Sequence, residues 1–243
     1  RTITGKINMD CTEAEFKQEV MNKTYDFDAF CKYMDESYHY KGCNAEKKLY
    51  YFLSKQTFGF GFEPFDLDPD LLDKIKEAGI VGMGGASFPA HVKLNPPEDK
   101  EIEYVLVNAA ECEPYLTCDE RTMQETPEKV IDGLAIILNL VGAAGIIALE
   151  DNKAYIKPIL EAEIEKKGYG DDISICVVKT KYPQGSEKFI VSACLGVEIP
   201  SGKLPADAGC IISNVGTVCA ISDAFRLGKP LIERALTISG GGV

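Results

Sequence analysis

With 243 residues, 45% of them apolar and 26% charged, the chain suits one large α/β domain, or a domain with an appendage, and can bury a sizeable core. A formal net charge of −12 works against nonspecific binding to nucleic acid or to an anionic membrane, so an anionic ligand has to be held by local features. The nine cysteines are irregularly spaced, mostly in apolar settings such as "ISICVV" and "VSACLG" where they act as small hydrophobes, which points to a reducing cytosolic setting.

The opening "RTITGKINMD" does not read as a secretory signal, and "RTITGKI" reads as a strand entered midway. With the closing glycine run of "ALTISGGGV", it suggests a fragment of something longer. From Arg1 to about Asp68 the texture is aromatic, charged and locally helical. Thr12 and Glu15 form a capping box before "EFKQEVM", and Asn44 is placed to cap "AEKKLYYFLSK". Cys11, Cys31, His39 and Cys43 offer four ligand atoms, but without the paired spacing of zinc sites, so packing roles are the better reading and no metal is assigned. "TFGFGFEPF" alternates phenylalanine with glycine and reads as a linker. The role of residues 1–68 stays open.

From residue 69 the pattern changes to alternating strands and helices. Asp68 and Pro69 supply a cap and a first-turn proline for "LLDKIKEA", which Gly79 stops. There follows "GIVGMGGASFPAHVKL", with Gly82, Gly84 and Gly85 around Met83. Such a run is either a tight turn or a backbone cradle for a phosphate or a flat ring, with Lys93 supplying charge. It is neither a Walker loop nor a dinucleotide fingerprint, since no Gly-Lys-Ser/Thr follows and no strand leads into it.

Strands are predicted at "YVLVNAA", "GIIALE", "ISICVVK", "CIISNVG" and "IERALTIS". Helices are predicted at Pro127–Leu140, Lys153–Lys167, Ser186–Leu195 and Thr217–Leu227. "LAIILNLVGAAGIIAL" is too short and too broken for a membrane span and reads as helix, turn and strand. Continuous apolar strands alternating with helices imply a mostly parallel sheet covered on both faces.

In such sheets ligands gather beyond the carboxyl ends of strands, where three polar loops fall. "VNAAECEPYLTCDER" presents Asn108, Glu111 and Glu113 as donors and acceptors, or is a solvated acidic loop. "KTKYPQGSEKF" places Tyr182 as a stacking surface and Gly185 and Ser186 at a helix start. "ISNVGT" gathers Ser213, Asn214 and Thr217. Cys112 and Cys118 lack metal-pair spacing, and His91 has no partner acid or nucleophile for a hydrolytic triad.

Taken in order, "GIVGMGGASFPAHVKL", "NAAECEPYLTCDERTM", "EDNK", "KYPQGSEK" and "NVGT" closely resemble the C subunit of the Rnf electron-transport complex. More distantly they resemble the flavin-bearing, NADH-oxidising subunit of respiratory complex I. The likeness runs from about Leu71 to Val243; before it, only "TITGKI" faintly resembles the end of the family's barrel-sandwich module. It implies an FMN/NADH-binding, Rossmann-like domain over 69–243; the residues before it read, on their own pattern, as a small, mainly helical segment.

By this resemblance Gly82, Gly84, Gly85 and Lys93 line the flavin, and Asn108, Glu111, Tyr182, Gly185, Ser186 and Asn214 complete its pocket. Phe88, Glu113 and Glu187 face the nicotinamide dinucleotide, and hydride transfer requires no catalytic base. The implied protein is a flavin-dependent NADH oxidoreductase subunit, exchanging electrons between NADH and ferredoxin in a complex coupled to ion transport. It would sit peripherally on the cytoplasmic face of the cell membrane beside other subunits, with no span and no nucleic acid, and with iron–sulfur clusters only outside this segment.

Departures are Ser87 and Ala109, where the family usually has glycine, and Met83, where the complex I relative has arginine. They keep open a noncatalytic docking or nucleotide-sensing subunit that retains the fold without functional flavin.

Overall fold

A computed structural model describes residues 71–97 and 99–240. The readings made for "RTITGKI", the Thr12 and Asn44 caps, the Cys11/Cys31/His39/Cys43 group, the phenylalanine–glycine stretch and the Asp68–Pro69 cap lie outside the described residues.

Among the described residues four parallel strands form a sheet: β1 (Tyr104–Ala109), β2 (Ala144–Glu150), β3 (Ile173–Val178) and β4 (Cys210–Asn214), in the order β3-β2-β1-β4. The inner strands β1 and β2 are buried along nearly their whole length, as a sheet covered on both faces requires. β3 forms an edge, and its Ser174 and Val177 are exposed.

Side chains alternate across the sheet with period two. On one face Leu106, Ile146, Ala148 and Ile212 pack with Ile190 and Val191 of α6 (Glu187–Leu195). The opposite face, which includes Val105, Val107, Ile147 and Leu149, is covered by helices α4 (Pro127–Val141) and α7 (Val215–Leu227). α4 begins at the predicted Thr126–Pro127 boundary and ends at Gly142, whose φ of 69° is left-handed. Gly133 lets α4 and α7 touch backbone to backbone, since a Cβ there would lie 2.0 Å from the carbonyl oxygen of Val218. Polar bonds reinforce the same contact, with Arg226 pairing Asp132 at 2.7 Å and the Ser222 hydroxyl donating to Asp132 at 2.7 Å.

Helix α1 (Leu71–Glu77) stops before Gly79, which has φ 66°. The short helix α2 (Ala90–Lys93) follows the glycine loop. Three segments differ from expectation. The acidic loop after β1 passes at Cys118 into a helix that was not expected, α3 (Cys118–Glu125). The helix expected from Lys153 begins as a 3-10 turn over Asp151–Ile156 and turns α-helical only in α5 (Lys157–Lys166), with Pro158 in its first turn. "IERALTIS" joins no strand among the described residues and forms a strap without regular secondary structure. Leu231 N–H donates to Ala78 O at 2.8 Å, Thr117 N–H donates to the Thr237 hydroxyl at 3.0 Å, and Ile232, Leu236 and Ile238 are exposed. These cross-connections use its polar groups in place of a ladder.

Candidate functional site

β1 lies between β2, which follows it in the chain, and β4, which returns to its other side, so the strand order reverses between β1 and β4. Crevices at such switch points are where open α/β sheets bind ligands. The register pairs Asn108 with Asn214 at this place.

Each asparagine tethers a loop. Asn214 caps α7, its Oδ1 accepting from Gly216 N–H at 2.9 Å, while its Nδ2 donates to Asp119 Oδ2 at 2.6 Å. Asn108 Nδ2 donates to the carbonyl of Gly185 at 2.8 Å, and its Oδ1 accepts from Ala110 N–H at 3.2 Å.

The glycine loop is closed at its base by a bridge between Val81 and Pro89 and by the bond from Gly82 N–H to Phe88 O at 2.8 Å. Met83 N–H donates to the Thr217 hydroxyl at 2.9 Å and pins the loop to α7. Gly84 faces Asn214, where an added Cβ would stand 3.6 Å from the Asn214 Cβ. Gly85 has φ 126°, and Ser87 has φ 51°, a left-handed conformation that favours glycine.

Gly185 is constrained on the other side, because a Cβ there would meet Ala110 O at 2.8 Å. Its N–H donates to Cys112 Sγ at 3.4 Å, and Ser186 caps α6 by position without a side-chain bond. Lys93 and Glu187 meet as an ion pair at 2.7 Å between α2 and the start of α6. Phe88, Glu113 and Tyr182 are exposed on these loops; Glu113 accepts from Cys112 Sγ at 3.5 Å.

Glu111 is buried and spent internally. Its oxygens accept from the amides of Asp119 (2.9 Å) and Glu120 (3.0 Å) at the start of α3 and from Lys153 Nζ at 2.5 Å. Burial disfavours its charge, but Lys153 and the two amides prevail and hold its carboxyl below the usual range. Lys153, only 6% exposed, also donates to Leu116 O at 3.3 Å and lies 3.5 Å from Glu120. Asp119, beside them, has its pKa pushed up to about 6 by burial and by the neighbouring Glu111 carboxylate. Ligand atoms of Glu111, Cys118 and Asp119 fall within 4.8 Å of one another, yet both Glu111 oxygens are already engaged, so the group reads as a hydrogen-bonded cluster.

Lys153 and Asp119 hold these loops together and lie outside the predicted set, whereas Thr217 was gathered with Asn214 in "ISNVGT". "EDNK" carried the signal for Lys153, while Asp119 was hidden in what read as a loop.

Does this set of residues fit a flavin nucleotide? At the end of β2 and in the loop after β3 stand two buried polar side chains, Glu150 and Gln184, and the Gln184 amide has no hydrogen-bond partner among the described residues. Burial raises the pKa of Glu150. The unspent Gln184 amide, the Gly185 backbone that excludes a Cβ and the start of α7 beside Asn214 suit a polar ring with a phosphate. A cleft of about 410 Å³ opens beside Met83, Asn214 and Gly216 under the strap.

The fold is an α/β domain of Rossmann-like type, with its candidate site at the switch point. The family model for the Nuo51 FMN-binding domain matches residues 75–223, and the chain belongs to that family. It is 48% identical over 175 residues to the C subunit of the proton-translocating ferredoxin:NAD(+) oxidoreductase complex of Clostridium ljungdahlii, covering 72% of this chain and 37% of that protein. To the C subunit of the Na(+)-translocating ferredoxin:NAD(+) oxidoreductase complex of Acetobacterium woodii it is 45% identical over 180 residues, 73% of this chain and 40% of that one. The chain thus spans about two fifths of these relatives' length. A solved NAD+-reducing nickel–iron hydrogenase in its H2-reduced state superposes with a TM-score of 0.57 at 25% identity, covering 64% of this chain and 30% of that one. No described helix is long and apolar enough to cross a membrane.

Proposed function

We propose that residues 69–243 form the FMN-binding, NADH-oxidising module of an Rnf-type complex that exchanges electrons between NADH and ferredoxin and couples the exchange to ion transport. The observation that carries this reading is the Asn108–Asn214 pair at the switch point with the glycine loop packed against it. In this reading the loop of Gly82, Gly84 and Gly85 lies along the flavin, and Asn108 fixes Gly185 so that backbone closes the far side. Asn214 and Ser186 place two helix starts near the ligand, and Tyr182 offers a stacking face.

Lys93 supplies a cation, oriented by Glu187. Glu111 shapes the pocket indirectly, by capping α3. Phe88, Glu113 and Glu187 border the dinucleotide. When bound, FMN supplies the hydride-accepting ring; the chain's residues bind, orient and exclude water. Further subunits, iron–sulfur clusters and a place on the cytoplasmic face of the membrane belong to the whole complex.

Gly84→Val tests the loop assignment. The site has room for a first side-chain carbon at ordinary contact distance, so the fold should survive while the branched side chain occupies ligand space. The expected result is an unchanged melting temperature with FMN binding lost in a fluorescence titration. Full FMN affinity in the folded variant would remove the loop from the site. For wild type, anaerobic bleaching of bound FMN by NADH tests the activity itself.

A further inference from the structure

Asp119 is a titratable side chain one hydrogen bond from the crevice that hydride transfer leaves unused. Its Oδ2 accepts from Asn214 Nδ2 at 2.6 Å, and Asn214 is the residue against which Gly84 packs. Charged and titratable groups face it from each neighbouring element. Glu111 approaches from the β1–α3 loop, Lys153 from the turn after β2, Arg234 from the strap and the Cys219 thiol from α7, with Cys118 beside it in α3. Glu111 is held ionised by Lys153 and two amides, so it repels a second negative charge and cannot itself take a proton readily.

We propose that Asp119 is a positioning residue of the flavin site: it binds a proton when an anionic ligand settles against Asn214, and so keeps that amide aimed at the crevice without setting a carboxylate against the ligand's charge. The inference rests on the flavin reading above. The step is a simple protonation, in which one proton passes from buffer to the Asp119 carboxylate as the complex forms, with no change in oxidation state. The residue is ready for it, because burial and Glu111 already raise its pKa to about 6, against the bond from Asn214 and the charges of Lys153 and Arg234. A ligand that favours the protonated form binds more tightly at low pH, by about tenfold for each pKa unit by which it raises the carboxyl.

The test compares wild type with Asp119→Asn, which keeps an acceptor for Asn214 but cannot ionise. FMN affinity is measured from pH 5 to 8 by fluorescence quenching. Protons taken up on binding are counted by calorimetry in two buffers of different ionisation enthalpy. The ligand's own phosphate titrates in both proteins and cancels in the difference. Wild type should lose about tenfold more affinity across this range than the variant and take up more protons near pH 6. Arg234→Gln, which removes a facing cation, should move the wild-type profile to higher pH, and it serves if Asp119→Asn does not fold. Superimposed profiles with equal proton counts, or an Arg234→Gln profile unmoved from wild type, would overturn the role of Asp119 while leaving the flavin reading intact. Absence of FMN binding at every pH would overturn both.

Discussion

Lys153 brings an ammonium group into the protein interior, where Glu111, Glu120 and a backbone carbonyl meet it. Breaking such a pair from one side leaves a buried charge uncompensated, at a cost of about 3–5 kcal/mol, whereas removing both charges costs far less. Lys153→Met should therefore lower unfolding stability by about that amount in urea titrations, and Glu111→Gln combined with Lys153→Met should recover much of it. The pH dependence carries a sign. Glu111 has a lowered folded pKa, so its contribution is present above the ordinary glutamate range and is lost as pH falls through the folded value. Asp119 runs oppositely: its contribution is full below the unfolded aspartate value and is lost as pH rises through about 6. The type of each residue was legible in "ECEP", "CDER" and "EDNK", but the partnership was not, because Lys153 and Glu111 are 42 positions apart and only the sheet brings β1 and β2 ends together.

Gly133 shows how far an element depends on one missing side chain. In an isolated helix, alanine would be preferred to glycine by about 1 kcal/mol. Here the added Cβ would sit 2.0 Å from the Val218 carbonyl oxygen, which is backbone and has no rotamer through which to yield. Overpacking of this kind costs about 1–3 kcal/mol and more when the backbone must move. Gly133→Ala should thus lower the melting temperature despite its better helix propensity, and an unchanged or raised value would show that α4 and α7 can separate freely. Helix α4 itself was legible through Pro127 and Gly142, whose effects are local. Helix α3 was not, since it buries only Met123 among its eight residues. Its start is stabilised by Glu111, a cap that lies outside the helix's own sequence. "IERALTIS" misled for the converse reason: its apolar residues suit a strand, yet Ile232, Leu236 and Ile238 are exposed, and the strap bonds through Leu231 to Ala78 and through Thr237 to Thr117 in place of a sheet neighbour.

Across the whole molecule the parallel topology was readable from alternation alone, and the β3-β2-β1-β4 order then sets Asn108 beside Asn214. Net charge acts at the same scale. At −12 the chain repels a phosphate-bearing ligand at distances beyond the reach of single loops, while the helix starts, Lys93 and the loop amides act only within a few ångströms. Salt shortens the screening length from about 30 Å at 0.01 M to about 8 Å at 0.15 M, so it weakens the long-range repulsion while leaving close contacts largely intact. Stopped-flow association of FMN should accordingly speed up, by about threefold, between those salt concentrations. Riboflavin, which lacks the phosphate, should associate at a rate that barely changes. If FMN association instead slows with salt, the positive groups at the crevice govern approach as well as binding, and Lys93 must be available to the ligand during encounter, released from Glu187. Lys93→Met would then abolish the slowing, which separates local steering from the field of the whole chain.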